Sequence, residues 1–323
     1  MKQALPKVSI GLIVYNGAAT LRVALDSILN QTFTDFELII SDNASTDDTE
    51  NICREYAYSD KRIDYIRQPM NIGVHANVLF VCRQAVAEYF MWAGADDRRS
   101  CDSIQACVNM LSSDADCVFA ATPDCFQDQE ADSSQHNDYS LCGDLYSRLK
   151  GFMNVCMNSR GVFWGLMRRE NLVTCVEQFP TSFLADDWAI NVHMLLQGTF
   201  RRTGAGLLML GGGASLQSNF LKQMRTRPIE LVIPFYSFSE TFLVSCFTHR
   251  HLSVINKLSL FFNIVNFNVR FGVQRLGVVR TVRYLYLDFY HHVLPVLLRR
   301  EKPLGTGQPR VLSRRFVEWW NSG

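Results

Sequence analysis

Asp96 and Asp97 are adjacent carboxylates at the end of an apolar run, Tyr89-Phe90-Met91-Trp92, from which they are separated by the small residues Ala93-Gly94-Ala95. Aromatic and aliphatic residues bounded by glycine and charge read as a buried strand reaching the edge of a sheet. Acids at the carboxyl end of such a strand stand where open α/β sheets bind ligands. Their hard oxygens suit Mg²⁺ or Mn²⁺ held together with a substrate's phosphates. The competing reading is a solvated turn, where Asp is common. A second pair, Asp186-Asp187, precedes Trp188-Ala189-Ile190 and the apolar Met194-Leu195-Leu196, so it opens a helix. Acids there suit the helix dipole, and a carboxylate so placed can also serve as a general base.

The elements that must position these acids alternate regularly. Val8 to Val14 is a near-continuous apolar strand, of the kind buried on both faces of a parallel sheet. Tyr15-Asn16-Gly17 turns it into a helix with Leu21, Ala24, Leu25, Ile28 and Leu29 on one face and Thr20 as its expected N-cap. A strand over Phe36 to Ser41 runs into Asp42-Asn43-Ala44-Ser45-Thr46-Asp47, and Asp47 with Glu50 forms a start like a capping box. Ile63 to Ile66 is a third strand, Pro69 to Gly73 its turn, and Val74 to Glu88 the next helix. After the Tyr89 strand come a helix bearing Ile104, Val108 and Leu111 and a strand from Cys117 to Ala121. This alternation with short links predicts a doubly wound, mostly parallel α/β sheet with its loops gathered at one edge. Neither GxGxxG nor GxxxxGK[ST] occurs at a strand-to-helix turn, which argues against a Rossmann dinucleotide site and a P-loop.

Val8 to Asn16, Asp42 to Asp47, Asn71-Ile72-Gly73 with Asn77, and Asp96-Asp97 together resemble the inverting glycosyltransferases of family two. Phe163-Trp164-Gly165-Leu166-Met167-Arg168-Arg169-Glu170 resembles that family's acceptor-side strand, and Ala185-Asp186-Asp187-Trp188 its acidic base motif. The resemblance spans about residues 7–200 and implies the GT-A nucleotide-sugar fold. It divides the chain into a nucleotide-sugar half (1–125), an acceptor half (126–215) and a C-terminal basic helical region (216–323). It implies that Tyr15, Asn16, Asp42, Asn71, Gly73 and Asp96 meet a nucleoside-diphosphate sugar, most often a UDP-sugar. Asp96 becomes the expected ligand of Mg²⁺ or Mn²⁺ with Asp97 as alternate, and Asp187 the base with Asp186 as its partner. The family's first metal-site acid is replaced here by Gly94 or Ala95. The implied reaction is hexosyl or deoxyhexosyl transfer to a glycan or lipid-linked oligosaccharide. Base help to the acceptor hydroxyl is commonly worth about two to four powers of ten in rate.

The remaining features bound the setting. Net charge is +1, but residues 1–200 hold 15 Lys+Arg against 26 Asp+Glu, and residues 201–323 hold 17 against 5. An acidic body argues against nucleic acid as the partner. A basic tail in which Arg270, Arg275, Arg280, Arg283, Arg299 and Arg300 interleave with apolar residues suggests helices lying on an anionic membrane, or packing on the enzyme or on a second subunit in a homo-oligomer. Ten cysteines without a CxxC pair, and no apolar leader before Val8, suggest reduced thiols and a cytoplasmic protein, peripheral on the inner face of the membrane where it meets lipid. The polar stretch from Asp124 to Asp144 reads as a mobile lid. His75 and His193 read as structural residues, and Arg98-Arg99 as surface charge balancing two acids. The rival readings are a non-catalytic binding or assembly partner lacking the first acid, a nucleotidyltransferase, and a glycoside hydrolase, which also uses two carboxylates.

Overall fold

The computed structural model describes residues 5–129, 137–156, 161–176, 185–211 and 235–276. The apolar runs form strands β1 (Val8–Val14), β2 (Phe36–Asp42), β3 (Ile63–Arg67) and β4 (Tyr89–Gly94), which pair in parallel in the order β3-β2-β1-β4. The sheet continues through β8 (Leu166–Arg168), antiparallel to both neighbours, then β6 (Cys117–Ala121) and β9 (Thr199–Arg202), which pair in parallel. The result is a seven-stranded, mostly parallel sheet. A small second sheet joins β5 (Arg98–Arg99), β10 (Leu208–Leu210) and β7 (Asp124–Phe126).

Helices cover both faces. Helices α1 (Leu21–Leu29), α2 (Thr49–Ser59) and α4 (Ser103–Ser113) bury Leu25, Ile52 and Leu111 with Ile10, Leu12 and Met91. On the other face, α3 (Val74–Gln84), α5 (Leu145–Val155), α6 (Arg169–Val176) and α7 (Asp186–Gln197) enclose Phe90, Trp92, Phe119 and Phe200. Helix α3 lies close against β1: a Cβ at Gly11 would stand 2.6 Å from the Val81 side chain and 2.9 Å from Phe90. Two further helices, α8 (Tyr236–Thr248) and α9 (Val254–Leu276), join the same core through Phe238, Phe242, Leu260, Ile264 and Phe267. No helix among the described residues is long and apolar enough to cross a membrane. The arginines at 280, 283, 299 and 300 lie outside the described residues.

Several local expectations need correction. Helix α3 ends at Gln84 rather than Glu88, because the amides of Val86 and Ala87 are taken by the Ser9 hydroxyl and the Glu37 carboxylate. Thr20 sits at the N-cap position of α1, but its hydroxyl donates back to the Gly17 carbonyl (3.4 Å) and caps nothing. Apart from these corrections, the stretch expected as a lid, 124–144, is held at its two ends. Asp124 is buried in β7 and ion-paired with Arg202, and Asp144 caps α5 by accepting from the Ser147 amide (2.8 Å). The stretch 130–136 lies outside the described residues.

Candidate active site

The parallel register sets the geometry of the site. Val14 is level with Asp42 and Ile13 with Gly94, so the loops after β1, β2 and β4 leave one edge side by side. Strands stand about 4.8 Å apart, so two intervals separate the backbones of Asp42 and Gly94 by roughly 10 Å. A Cβ at Gly17 would stand 3.3 Å from the Ala95 Cβ, so the loops after β1 and β4 touch.

The loops after β1 and β2 are stitched to each other. The Asn16 backbone amide donates to the Ser45 hydroxyl (2.9 Å), and the Asn16 side-chain Oδ1 accepts from the Thr46 backbone amide (2.8 Å). The Gly17 amide donates to the Thr49 hydroxyl (3.0 Å) and the Ala18 amide to Asp47 (3.0 Å). Asp47 also accepts from the Thr49 amide (3.1 Å), but the N-cap position of α2 is Asp48 and no side chain caps there, so the expected Asp47–Glu50 capping box does not form and Asp47 ties the loops instead. Asp42 is fully enclosed: its carboxylate accepts from the Ser45 amide (2.8 Å), the Tyr65 hydroxyl (3.0 Å) and Arg67 (2.9 Å). Asn43 bonds the Asn71 side chain (3.1 Å) and the Ile72 amide (2.8 Å), and Asn71 in turn accepts from the Gly73 amide (2.9 Å). Buried Asn77 accepts from the Ser41 hydroxyl (2.6 Å) and locks α3 to the end of β2. Tyr15, half exposed at 51%, leaves an aromatic face open at this edge.

Among the described residues, three other than glycine hold a positive φ: Asn16 (52°), Ala44 (60°) and Ala185 (67°). Such conformations cost about 1–3 kcal/mol for residues other than Gly or Asn and tend to collect at functional loops. Here they stand in the loops after β1 and β2 and in the residue that leads into α7, three of the places that bear candidate residues.

The two acids after β4 are not equivalent. Asp97 is buried, and its Oδ1 accepts from the Gly211 amide (3.0 Å), which fastens β10 to the end of β4. Burial pushes its carboxyl up to about 6, aided by the Asp96 charge and opposed by the Gly211 and Gly94 amides and Arg99. Asp96 is half-buried and accepts no hydrogen bond at its carboxylate from a described residue; Gln127 holds its backbone carbonyl instead (2.7 Å). A Cβ at Gly211 would stand 2.5 Å from an Asp96 oxygen, and one at Gly94 would stand 2.7 Å from Asp97 and 3.2 Å from Asp96. The two glycines therefore make room for the acid pair. Arg99, expected at the surface, is buried and donates to the carbonyls of Trp164 (2.8 Å) and Trp92 (3.3 Å).

No group of three metal-ligating side chains occurs among the described residues. The donor set that remains, one carboxylate at Asp96 with Asp97 engaged behind it, fits a divalent cation completed by a substrate's phosphates rather than an all-protein cage.

At the second acid pair, Ala185 leads into α7, and the Asp187 backbone amide donates to the Asp186 carboxylate (2.9 Å). The other Asp186 oxygen meets His75 Nδ1 at 2.8 Å. His75, expected to be structural, thus reaches from the start of α3, two residues past Gly73, to the acid pair 111 positions later. Burial, with Asp186 adding like charge, pushes the Asp187 carboxyl up to about 7, which places it where a general base is useful at neutral pH. Trp188 stacks on Phe235 (centroids 5.2 Å, 15°) with Phe238 and Phe267 at its edges, so it is core and not a sugar platform. Burial lowers His193 to about 4, so it is neutral at pH 7. The residues missed by sequence reasoning are Tyr65, Arg67 and His75. None has a local signal, since each acts on a partner distant in the chain.

Comparison with known proteins agrees with this arrangement. The family model for glycosyl transferase family 2 matches residues 9–170. A Campylobacter jejuni protein named GalNAc(5)-diNAcBac-PP-undecaprenol beta-1,3-glucosyltransferase is 34% identical over 94 residues, covering 29% of this chain and 30% of its own. Staphylococcus aureus TarS 1–349, solved with UDP-GlcNAc, has a similar fold (TM-score 0.63, 16% identity, 91% of this chain and 82% of that one). So has the mannosyltransferase PcManGT of Pyrobaculum calidifontis with GDP-Man and Mn²⁺ (TM-score 0.54, 15% identity, 98% and 83%). The chain spans about a third of the length of the curated relatives it matches. With a family match over residues 9–170 and the GT-A architecture around its acids, the chain belongs to glycosyl transferase family 2.

Proposed function

We propose that the protein transfers a hexosyl or deoxyhexosyl group from a nucleoside-diphosphate donor to a hydroxyl, with inversion at the anomeric carbon. The observation that supports this best is the linkage of Asp187, raised to about 7, through Asp186 and His75 to the helix that begins at the Asn71–Gly73 turn. Tyr15, Asn16, Asn71 and Gly73 border the nucleotide, and the enclosed Asp42 fixes the loop that receives its base. Asp96, with Asp97 as alternate, would hold Mg²⁺ or Mn²⁺, which would supply Lewis-acid neutralisation of charge on the departing diphosphate. Asp187 takes the acceptor proton, with Asp186 orienting it. The UDP-GlcNAc in TarS makes a UDP-sugar the first donor to try, and the undecaprenol in the C. jejuni relative's name makes a lipid-linked acceptor the first acceptor.

The test is thermal stability with each nucleoside diphosphate, with and without Mn²⁺, followed by sugar transfer with the preferred donor. Binding to the native state raises apparent stability by mass action. A shift that needs both nucleotide and metal, followed by glycosylated product, supports the reading. Gly94 or Ala95 in place of the family's first acid favours a second reading, a binding or assembly partner. Nucleotide-induced stabilisation without turnover of any donor would select it.

A further inference from the structure

The outward face of α9 is apolar over its first turns. Val254, Ile255, Leu258 and Phe262 are 72, 78, 43 and 65% exposed, and spacings of three to four residues place them on one stripe. The inward face of the same helix buries Leu260, Ile264 and Phe267. Single exposed apolar residues are ordinary, but a contiguous stripe on a helix marks a contact surface.

Its surroundings are cationic. Arg250 is exposed in the turn before α9, and Lys257 sits beside the stripe with its Nζ on the Phe247 carbonyl (2.8 Å). Between residues 241 and 269 the chain has no Asp or Glu to offset them. Pairing two copies across this stripe would set like charges against each other. An anionic headgroup layer complements them and accepts the apolar stripe beneath.

We infer that α9 docks the protein on an anionic lipid surface, with Val254, Ile255, Leu258 and Phe262 entering the interface. The consequence for orientation follows from packing. Phe267 on the inward face of α9 and Phe235 meet each other (5.3 Å) and Trp188, the residue after Asp187, so docking fixes the start of α7 behind α9, on the side away from the lipid. This goes beyond the transfer reading and does not depend on it, because lipid binding is measured without turnover.

The experiment is co-sedimentation of the full chain with vesicles of phosphatidylcholine alone or mixed with phosphatidylglycerol, for the wild type and an Ile255→Ser, Phe262→Ser double variant. Both side chains are exposed, so the variant keeps its melting temperature, which is checked by circular dichroism. Wild type is expected to bind the mixed vesicles, less so in high salt, and the double variant to bind at least about tenfold more weakly. Equal binding by the variant, or no binding by wild type at low salt, overturns the inference. So does a concentration-dependent dimer in sedimentation velocity that the double substitution abolishes, because a second copy would then cover the stripe.

Discussion

Replacing Asp187 by Asn removes one proton-binding site while keeping the shape of the α7 start, and it separates function from stability. With a carboxyl at about 7 in the native protein and near 3.8 in the unfolded chain, ionisation opposes folding. The penalty is absent below pH 4, grows as pH rises between the two values, and is complete above pH 7. At about 1.4 kcal/mol per pH unit, the ceiling is on the order of 4 kcal/mol. Asn carries no such penalty, so the variant is expected to be more stable than wild type at pH 8, by up to this ceiling, and to approach it near pH 4. Chemical denaturation across pH 4–8 measures the difference. In parallel, sugar transfer should fall by about two to four powers of ten with nucleotide binding unchanged. The wild-type kcat/KM should lose activity as pH falls through about 7, where the base is protonated. A variant that transfers sugar normally, or a stability difference independent of pH, would refute the assignment.

Asp96→Ala is expected to abolish Mn²⁺-dependent stabilisation by a nucleoside diphosphate, seen by thermal shift. Asp97→Ala should instead lower stability near pH 4, without metal or nucleotide, because the Gly211 amide loses its acceptor while the carboxyl, raised to about 6, carries no ionisation penalty there; the expected loss is about 1–3 kcal/mol by denaturant titration and shrinks as pH rises through 6. His75→Ala removes the group facing Asp186, so the acid limb of the kcat/KM profile should move to higher pH while nucleotide affinity holds. Arg67→Met withdraws one of three donors from the enclosed Asp42 and should cost about 2 kcal/mol or more, together with nucleotide affinity.

The sheet was legible where burial on both faces leaves a continuous apolar run. Val8–Val14 and Cys117–Ala121 read correctly to the residue, and Phe36 and Tyr89 began their strands as expected. The small sheet was not legible, because Arg98-Arg99 and Asp124 look like surface charge. Their burial depends on contacts made across the chain, Asp124 with Arg202 and Arg99 with the Trp164 carbonyl. The acid pairs could be found from their adjacency and their place after or before apolar runs. Their inequivalence could not. It is the Gly211 amide that commits Asp97 to the fold and leaves Asp96 open, and a single His at position 75 gives no sign that its partner lies in another helix. The apolar residues of the C-terminal region read as suited to lipid, but Phe235, Phe238 and Phe267 are occupied by Trp188, and among the described residues the α9 stripe faces outward.

The central claim is that one cleft holds the diphosphate at Asp96 and the acceptor hydroxyl at Asp187. A crystal structure with a nucleoside diphosphate and Mn²⁺, phased for the anomalous signal of manganese, tests it most directly. The account predicts a manganese peak bridging the Asp96 carboxylate and the diphosphate, with the Asp187 carboxylate facing the same cavity. Manganese and nucleotide bound away from Asp96, or Asp187 opening onto a different surface, would contradict it.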